Sequence, residues 1–431
     1  MKYRLGDICT ITKGSTGIMK AVPGPYTMIT LGELDKTHNE FQFDTSAVII
    51  PLVSSTGHGH ASMKRVKYFE GKFALGNILC AVIPNNEKLV LAKYLHIYLH
   101  WNRENLLVSQ MKGMANVSLP MSRIAEVLVT VPSLKKQKEI IELEKKLTEK
   151  ELESDKQFSH QLTLLDQLNQ AILQEAVQGK LVPQDKKDEP ASELLKRIKA
   201  EKATLRQAQG TGKKEKPLPP IKPEEIPFEI PKSWVWCRLG EVCSKIGSGS
   251  TPKGSNYSKS GFPFFRSQNI YNDGLNFDDI TYISNDTQLQ MNGTRVFNND
   301  VLLNITGGSM GRCSKVPSTF KEGNVSQHVC IIRPYIFDSD YLHKVILSPF
   351  FQKLIFSSTT GAGREGLPKY NLERFLIPLP PLSEQKRIVA EIERQLAKTK
   401  QLKEHVQSNQ QSTEQLLKAL LHEAFEVKEG V

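Results

Sequence analysis

The sequence predicts an α+β protein in which two similar mixed α/β domains are separated by two long antiparallel helices that form a coiled coil, with a pseudo-two-fold internal repeat. One observation is a duplication: residues 131–177 and 379–425 match at a constant spacing, so that Pro132 pairs with Pro380 and Glu175 with Glu423, 248 positions apart in both cases. The other is that each copy consists of a globular segment followed by a long helix. A constant spacing over so long a stretch indicates an internal duplication, and its period is far too long for a solenoid.

Length and composition allow two or three domains. The chain has 431 residues, of which 39% are hydrophobic and 24% charged, and these fractions are typical of globular proteins. The net charge of +11 favours a polyanionic partner such as nucleic acid, although many basic proteins have none. No apolar run approaches the ~20 residues of a membrane span, and the N-terminus lacks the apolar core of a signal peptide. We therefore expect a cytoplasmic protein without a membrane partner.

The two globular segments, residues 1–132 and 227–382, are predicted to share one fold. Short motifs recur in both, such as Gly14–Thr16 in the first and Gly249–Thr251 in the second. The apolar spacing of Leu91–Leu99 predicts a helix. Apolar runs between turn residues predict strands at Ala47–Val53, Ile78–Ile83, Phe262–Ile270, Val301–Ile305 and His328–Arg333. Most other side chains differ between the copies, which suggests one scaffold that presents two different surfaces.

The long segments, residues 133–178 and 383–426, are predicted to be helices. Ser133 is a suitable N-cap for the first, and Gly179 and Pro183 end it. Apolar residues follow the alternating steps of three and four that are typical of a coiled coil. The predicted seams contain Phe158, Leu162, Leu165, Asn169, Ile172 and Ala176 in the first helix, and Ile388, Ile392, Leu402, Val406, Asn409, Thr413, Leu416 and Leu420 in the second. A single amphipathic helix on a globular core is the alternative, but two copies in one chain favour pairing with each other.

Residues 179–226 have no counterpart after the second helix and break the repeat. Ala191–Ala208 has the composition of a basic helix. The segment from Gly210 to Pro231 is rich in Gly, Lys, Pro and Glu, so we expect an extended linker. Its positive charge fits either contact with phosphates or a solvated linker.

The sequence shows no catalytic constellation. It has no GxSxG, HExxH or EF-hand pattern, and the six cysteines form no CxxC pair. His58 and His60 have no Cys or carboxylate partner at the spacing of metal ligands. Gly307–Arg312 (GGSMGR) lacks the spacing of a phosphate loop, so it is interpreted as a tight turn or as a loop that faces a phosphate backbone. We therefore expect recognition rather than catalysis, with no metal site.

The candidate DNA contacts are polar and basic side chains in turns at matching points of the two copies. Hydroxyl and lysine side chains suit phosphates, whereas Arg, Gln and Asn are base-reading residue types. The candidates are Lys13, Ser15, Thr16, Lys64, Arg65, Lys112 and Asn116 in the first domain, and Ser250, Thr251, Lys253, Arg266, Gln268, Asn269, Arg312, Arg364 and Lys369 in the second. Each alone also fits a solvated surface, but as a set they favour DNA contact.

Three motifs are repeated in both halves: Pro-x-Leu-x-x-Gln-x-x-Ile, Arg-Leu-Gly-Asp/Glu and Ala-x-Leu-x-x-Ala. They lie at Pro132–Ile140 and Pro380–Ile388, at Arg4–Asp7 and Arg238–Glu241, and at Ala171–Ala176 and Ala419–Ala424. Together with the duplicated layout, these motifs resemble the specificity (S) subunits of type I restriction-modification systems, over nearly the whole chain. The connection of residues 180–231 departs from the repeat.

The resemblance implies a non-catalytic subunit whose two target-recognition domains each bind one half of a split site on double-stranded DNA. It also implies two methyltransferase (M) subunits that methylate adenine with S-adenosylmethionine, and restriction/translocase (R) subunits that use ATP and Mg²⁺. The chain itself is then expected to hold no cofactor. A non-enzymatic coiled-coil scaffold that joins two protein ligands is the alternative function. Binding that weakens steeply with salt would favour DNA.

Overall fold

The computed structural model describes residues 1–55, 60–113, 117–208, 217–255, 257–359 and 366–426. The chain forms two compact units: Met1–Gln161 with His405–Val431, and Leu162–Glu404. Each unit therefore contains one globular domain together with parts of both long helices.

The first domain contains ten strands and four α-helices among its described residues. The strands are β1 (Lys2–Arg4), β2 (Cys9–Lys13), β3 (Tyr26–Ile29), β4 (Lys36–His38), β5 (Phe43–Asp44), β6 (Ala47–Pro51), β7 (Lys67–Phe69), β8 (Lys72–Leu75), β9 (Leu79–Pro84) and β10 (Leu128–Thr130). The helices are α1 (Leu5–Ile8), α2 (Ala92–Trp101), α3 (Arg103–Leu106) and α4 (Met121–Glu126). The long helix α5 (Leu134–Val177) and the helix α6 (Ala191–Ala208) follow.

The second domain repeats this order with insertions, and the long helix α12 (Leu382–Phe425) follows it. Its described strands are β11 (Val235–Arg238), β12 (Cys243–Ser248), β13 (Phe262–Phe265), β14 (Ile270–Tyr271), β15 (Gly274–Leu275), β16 (Thr281–Ile283), β17 (Arg295–Phe297), β18 (Val301–Asn304), β19 (Cys313–Lys315), β20 (Glu322–Val325), β21 (Val329–Pro334) and β22 (Leu376–Leu379). Its helices are α7 (Leu239–Val242), α8 (Asn285–Gln290), α9 (Ser339–Leu347), α10 (Pro349–Ser357) and α11 (Lys369–Arg374).

The sheets confirm that the two domains share one fold. The antiparallel sheet β2-β9-β6-β7 of the first domain corresponds to β12-β21-β18-β19 of the second. The sheet β4-β3-β8-β5 corresponds to β16-β13-β20-β17, and in both the central pair is parallel. The pair β1-β10 corresponds to β11-β22. The hairpin β14-β15 and the helix α8 occur in the second domain only, within the part of the chain that is described.

The predicted strands and the predicted helix of the first domain are present, with one exception. The strand predicted over Phe262–Ile270 ends at Phe265, because residues 266–269 turn before β14 begins. Arg266 and Asn269 close this turn with a hydrogen bond between the Arg266 amide and Asn269 Oδ1 at 3.0 Å. The run of apolar and aromatic residues before the turn predicts a strand but does not show where that strand ends.

Within each unit the two long helices run antiparallel and pack against each other, as predicted. In the first unit Gln410 donates a hydrogen bond to Asp155 at 3.1 Å, and the Phe425 ring lies 5.3 Å from that of Tyr98 in the first domain. In the second unit Thr399 donates to Asn169 at 2.6 Å. The polar interruption predicted at Asn169 is therefore satisfied by a side chain of the other helix.

The predicted seam is correct for α5 but partly wrong for α12. All six predicted seam residues of α5 are buried or half-buried. Four predicted seam residues of α12 are exposed instead, namely Leu402, Asn409, Leu416 and Leu420. Leu417 and Leu421 are buried in their place. A helix with 3.6 residues per turn drifts relative to a strict seven-residue repeat, and the polar stretch between Val406 and Leu416 contains no apolar residue that fixes the phase.

A fully buried glutamine ties each long helix to its domain. Gln137 Oε1 accepts a hydrogen bond from the Leu91 amide at 2.9 Å, and its Nε2 donates to the carbonyl oxygens of Leu89 and Pro132, both at 2.9 Å. Gln385 occupies the equivalent place in the second unit, where it accepts one backbone amide and donates to one carbonyl oxygen at 2.9 Å. Among the named side chains of the Pro-x-Leu-x-x-Gln-x-x-Ile motif, only the glutamine amide can both donate and accept a hydrogen bond at this junction. Ser133 also caps α5, since its hydroxyl accepts from the Lys136 amide at 3.4 Å.

The connector, residues 179–226, is docked on the second domain where it is described. Three apolar residues of α6 are buried in the core of the second unit: Ala191, Leu194 and Ile198. The buried Arg238 guanidinium donates to the carbonyl oxygens of Pro219 and Pro220, both at 3.2 Å, and pairs with Glu225 at 2.9 Å. The stretch from Pro217 onward contains a 3₁₀ helix at Pro223–Glu225, so it is not extended throughout as predicted. Its contacts with Arg238 hold it on the second domain.

Candidate nucleic-acid interface

The two Gly-Ser-Thr turns lie at the same point of both domains, directly after β2 and β12. The amide of Gly14 donates to the Leu79 oxygen of β9, and that of Gly249 to the Val329 oxygen of β21, both at 3.0 Å. A Cβ on Gly14 would lie 2.2 Å from the Gly76 oxygen, and one on Gly249 would lie 1.9 Å from the Val325 oxygen. Glycine is therefore required by a close backbone approach, and the turn that follows is held in a fixed place.

The side chains of these turns point to the surface. Ser250, Thr251 and Lys253 are exposed, and so are Lys13 and Ser15, whereas Thr16 is half-buried. The amide and hydroxyl of Ser15 both donate to Gln42 Oε1, at 2.9 and 3.0 Å. The first turn is therefore pinned by a side chain as well as by the backbone.

In the loop of residues 266–269 only part of the predicted base-reading set is accessible. Gln268 is exposed, and its Nε2 donates to Asp279 Oδ2 at 2.7 Å. Arg266 is half-buried. Asn269 is 1% exposed, and its amide donates to the Asn276 oxygen at 3.2 Å. Asn269 is therefore placed to hold the loop and not to reach a base, a distinction that residue type alone does not reveal.

Three buried polar atoms of this loop and of residues next to it have no hydrogen-bond partner among the described residues: Arg266 Nε, Asn304 Oδ1 and Ser326 Oγ. Asn304 Nδ2 donates to the Ser267 oxygen at 2.9 Å, and the Ser326 amide donates to the Phe265 oxygen at 2.9 Å. A donor, an acceptor and a hydroxyl are thus left unsatisfied close to one loop, where a polar ligand or water would restore their hydrogen bonds. The sequence prediction missed Asn304 and Ser326, which lie inside or beside apolar strands.

Backbone hydrogen bonds bring the second-domain candidates together around the ends of β18 and β20. The Ser250 amide donates to the Val325 oxygen at 3.2 Å, next to Ser326, whose amide donates to the Phe265 oxygen directly before the 266–269 loop. The Asn304 amide donates to the Arg312 oxygen at 2.8 Å. The Leu367 amide, two residues before Lys369, donates to the Ile305 oxygen at 2.9 Å. These contacts join four loops that lie far apart in the sequence.

Arg312 forms a cation–π pair in this region. It is exposed, and its guanidinium carbon lies 5.1 Å above the ring of Tyr271, which is also exposed. The preceding glycines make a tight turn between β18 and β19, with positive φ at Gly307 and Gly311. The GGSMGR segment is therefore a strand connection, as the simpler interpretation predicts. Cation–π pairs of this kind offer both charge and a stacking surface to nucleic acid.

The first domain has a basic cluster that consists of Lys64, Arg65 and Lys67, and most of it is paired with carboxylates. Arg65 forms an ion pair with Glu33 at 3.2 Å, and Lys67 forms one with Asp35 at 2.6 Å. Lys64 is exposed and forms no ion pair with the described residues. His58, one of the two histidines considered as metal ligands, lies outside the described residues.

The remaining candidates are Lys112, Asn116, Arg364 and Lys369. Lys112 is exposed and pairs through its backbone with Ser118, at 2.8 and 2.9 Å. Lys369 begins α11 and forms an ion pair with Glu373 at 3.2 Å. Asn116 and Arg364 lie outside the described residues.

Burial favours the neutral forms of several core thiols and of two histidines. Burial raises the pKa of the thiols of Cys9, Cys80 and Cys330 to about 12. Burial also lowers the pKa of His96 and His343 to about 4. Among the described residues no group of three His, Cys, Asp or Glu side chains has the arrangement of a metal site, and no described helix is long and apolar enough to cross a membrane.

Residues 1–164 and 231–410 match a family model for the type I restriction modification DNA specificity domain. The specificity subunit of the type I restriction enzyme EcoAI from Escherichia coli is 35% identical over 268 residues, which are 61% of this chain and 45% of that protein. The EcoBI specificity subunit from Escherichia coli is 24% identical over 309 residues, 70% of this chain and 58% of that protein. The chain thus spans about half the length of the curated relatives that it matches.

Two solved structures are similar along nearly the whole chain. The HsdS subunit from Thermoanaerobacter tengcongensis has a TM-score of 0.53 and 17% identity, and the match covers 99% of this chain and 96% of that one. A chain of a structure concerned with complex assembly and conformational transition of the type I R-M system has a TM-score of 0.59 and 17% identity, covering 99% and 97%. At this identity the likeness shows the fold alone.

Proposed function

Because the chain belongs to the family of the type I restriction modification DNA specificity domain, we propose that it is the DNA-reading subunit of a type I restriction-modification complex. Each domain would contact one half of a bipartite site on double-stranded DNA. The glycine-pinned turn of each domain and the loops beside it would supply the contacts, with Arg312, Tyr271 and Gln268 prominent in the second.

The observation that carries this proposal is that one scaffold presents two different surfaces. The two domains share their sheet order, including the parallel central pair, and a glycine that only a close backbone approach explains. Around that shared frame the exposed side chains differ, and the β14-β15 hairpin beside Arg312 belongs to the second domain. A protein that reads two unlike half-sites needs this combination, because direct readout depends on side chains placed by a rigid frame.

We propose the partners and cofactors from the family resemblance. Two methyltransferase subunits would bind S-adenosylmethionine and methylate adenine, and restriction/translocase subunits would use ATP and Mg²⁺. This chain would contribute recognition and no catalytic group, in the cytoplasm where the DNA lies. The neutral, buried thiols and histidines of the core support a structural role for these side chains.

A coiled-coil scaffold for protein ligands remains the alternative, and one observation favours protein docking on the helices. Leu168 of α5 and Leu416 of α12 are 248 positions apart, and they are 45% and 60% exposed. Large exposed leucines at equivalent points of the two copies suit two equivalent protein partners. Within the proposed complex these partners would be the two methyltransferase subunits, whereas a scaffold would bind other proteins and no DNA.

The test is to map methylated adenines in the source cell with and without this gene. We expect one split motif, two fixed half-sites around a constant gap, to lose its methylation when the gene is deleted. A gene carrying Arg312→Ala should restore a motif altered or weakened in one half-site only. If deletion changes no methylated motif, and the purified complex prefers no DNA sequence, the DNA-reading function is wrong and the scaffold is favoured.

A further inference from the structure

A tight turn at the same point of both domains exposes a carboxamide side chain. The turn consists of residues 76–79 in the first domain and 326–329 in the second. In each, the amide of the fourth residue donates to the oxygen of the first, at 3.0 and 3.1 Å. The turn joins the two four-stranded sheets, because it leads from β8 to β9 and from β20 to β21. Its second residue is Asn77 in one copy and Gln327 in the other, and both are exposed.

Backbone hydrogen bonds to neighbouring strands hold both turns in the same way. In the first turn the Gly76 amide donates to the last residue of β3, and the oxygens of the third and fourth turn residues accept from the residues that directly follow β6 and β2. In the second turn the Ser326 amide donates to the last residue of β13, and the oxygens of the same two positions accept from the residues that directly follow β18 and β12. All six distances lie between 2.9 and 3.0 Å. The side chain at the second position is therefore presented by a backbone that the scaffold fixes, as binding residues on loops require.

Each turn also lies against the Gly-Ser-Thr turn of its domain. In the first domain the Asn77 amide donates to the Thr16 oxygen at 3.0 Å. In the second domain a Cβ on Gly249 would lie 2.6 Å from the Ser326 oxygen. The Gly-Ser-Thr turns carry the hydroxyl and lysine side chains that suit phosphates, so each carboxamide lies next to the proposed contacts with the DNA backbone.

Local structure does not explain why a carboxamide stands at this position. Asparagine is favoured in turns where its backbone has positive φ or its side chain bonds to the nearby backbone. Asn77 has neither feature, since Asn299 is the one non-glycine residue with positive φ in the described chain and the Asn77 side chain forms no hydrogen bond with the described residues. Glutamine has no such turn preference, and Gln327 Nε2 lies 3.5 Å from His328 Nε2, too far for a strong hydrogen bond. A carboxamide in both copies, where most other side chains differ, therefore indicates a shared task.

A carboxamide can accept a hydrogen bond from N6 of adenine and donate one to N7 at the same time, and this pair of bonds distinguishes adenine in the major groove. We propose that Asn77 and Gln327 each read one adenine in this way, one in each half of the split site. The next turn residue differs between the copies: Ile78 is apolar and half-buried, whereas His328 is exposed, with its Nδ1 2.7 Å from Thr306 Oγ1. The two half-sites would thus share an adenine and differ beside it. This inference rests on the proposed function and assigns one residue and one base to each half-site.

The experiment measures binding of the full chain, assembled with its methyltransferase subunits, to the mapped motif and to duplexes in which one base pair at a time is replaced. Fluorescence anisotropy gives the affinity for each duplex. In the wild type, one adenine of each half-site should weaken binding about five- to hundredfold when it is replaced. Asn77→Ala should remove this penalty in one half-site only, and Gln327→Ala in the other only. Asn85→Ala is the matched control, because Asn85 is exposed at the opposite end of the six-residue strand β9, about 20 Å away, and it should keep both penalties.

A second measurement tests which atoms of the base are read. The base analogue 7-deazaadenine keeps its base pair with thymine but lacks the N7 acceptor. At the adenine assigned to Asn77 it should weaken wild-type binding several-fold and leave the binding of Asn77→Ala unchanged, because the donor to N7 is already gone. The same relation should hold for Gln327 in the other half-site. Thermal melting of each variant excludes a folding defect as the cause of weaker binding.

The outcomes separate the possible errors. If the wild-type complex prefers its motif but both alanine variants keep every base penalty, the carboxamides do not read bases and the proposed function stands. If a variant weakens binding equally for all duplexes, its side chain contacts the DNA backbone and the inference is overturned. If the lost penalty belongs to a base other than adenine, or if 7-deazaadenine affects wild type and variant alike, the adenine assignment is wrong. If the wild-type complex prefers no sequence, the proposed function and this inference fail together.

Discussion

The buried amide of Gln137 is predicted to hold the first long helix on its domain. Substitution by alanine removes three hydrogen bonds of 2.9 Å from a residue that is 0% exposed. It leaves the Leu91 amide and the oxygens of Leu89 and Pro132 without their partner. Each buried group that loses its partner costs about 1–3 kcal/mol, so we expect Gln137→Ala to lower the free energy of unfolding of the first unit by about 4 kcal/mol.

Two further variants separate hydrogen bonding from volume and from helix propensity. Gln137→Met keeps a similar volume, so it should lose nearly as much stability as the alanine variant if the hydrogen bonds dominate. Gln161→Ala, on an exposed part of the same helix, should change the free energy by no more than about 0.5 kcal/mol. Urea denaturation, with hydrogen exchange at the Leu91 amide as a local probe, measures all three variants. A Gln137→Ala protein as stable as the Gln161→Ala protein would refute the anchoring role.

Three other predictions concern the turn, the connector and the DNA surface. Gly249→Ala places a Cβ 1.9 Å from a backbone oxygen, so thermal melting should show a loss of about 1–3 kcal/mol, whereas Gly308→Ala, with nothing within 4 Å, should melt normally. The hydrogen bond from Arg387 holds the pKa of Asp188 below its usual value. This contact therefore stabilises the second unit fully above the unfolded pKa of about 3.9, and the stabilisation is lost as the pH falls through the folded pKa. Asp188→Asn should lower stability at neutral pH and make stability depend less on acid pH, and an unchanged acid profile would contradict this. Arg312→Ala should weaken cognate DNA binding by about 1–3 kcal/mol in an anisotropy titration, and an unchanged affinity would remove Arg312 from the interface.

The duplication was visible in the sequence because the residues that recur are those that the fold constrains most. Gln137 and Gln385 recur because each supplies a donor and an acceptor in a buried junction. Gly14 and Gly249 recur because a neighbouring backbone leaves no room for a Cβ. Such a constraint favours the same residue type at the equivalent position of both copies. A comparison of sequence spacing therefore detects it without a structure.

The candidate interface was less predictable, because exposure and convergence depend on the whole fold. Asn269 and Gln268 are adjacent and chemically alike, yet one is buried and holds the loop while the other is exposed. Asn304 lies in an apolar strand, and no pattern marks it as the residue that joins two candidate loops. The predicted seam of α12 was partly wrong for a related reason, because packing against the rest of the fold decides which leucines of α12 are buried.

The sequence by itself determined the two-domain repeat, the two long helices and the family. The spacing of the repeated motifs and the composition of the helices can be read directly from the order of residues along the chain. Only the tertiary structure decided that the connector packs on the second domain and that Asn77 and Gln327 lie beside the Gly-Ser-Thr turns of their domains. Both residues are more than 60 positions away from those turns in the sequence, and their proximity is set by long-range packing. The apolar face of α6 favours burial of the connector, but only the folded domain supplies the surface on which it is buried.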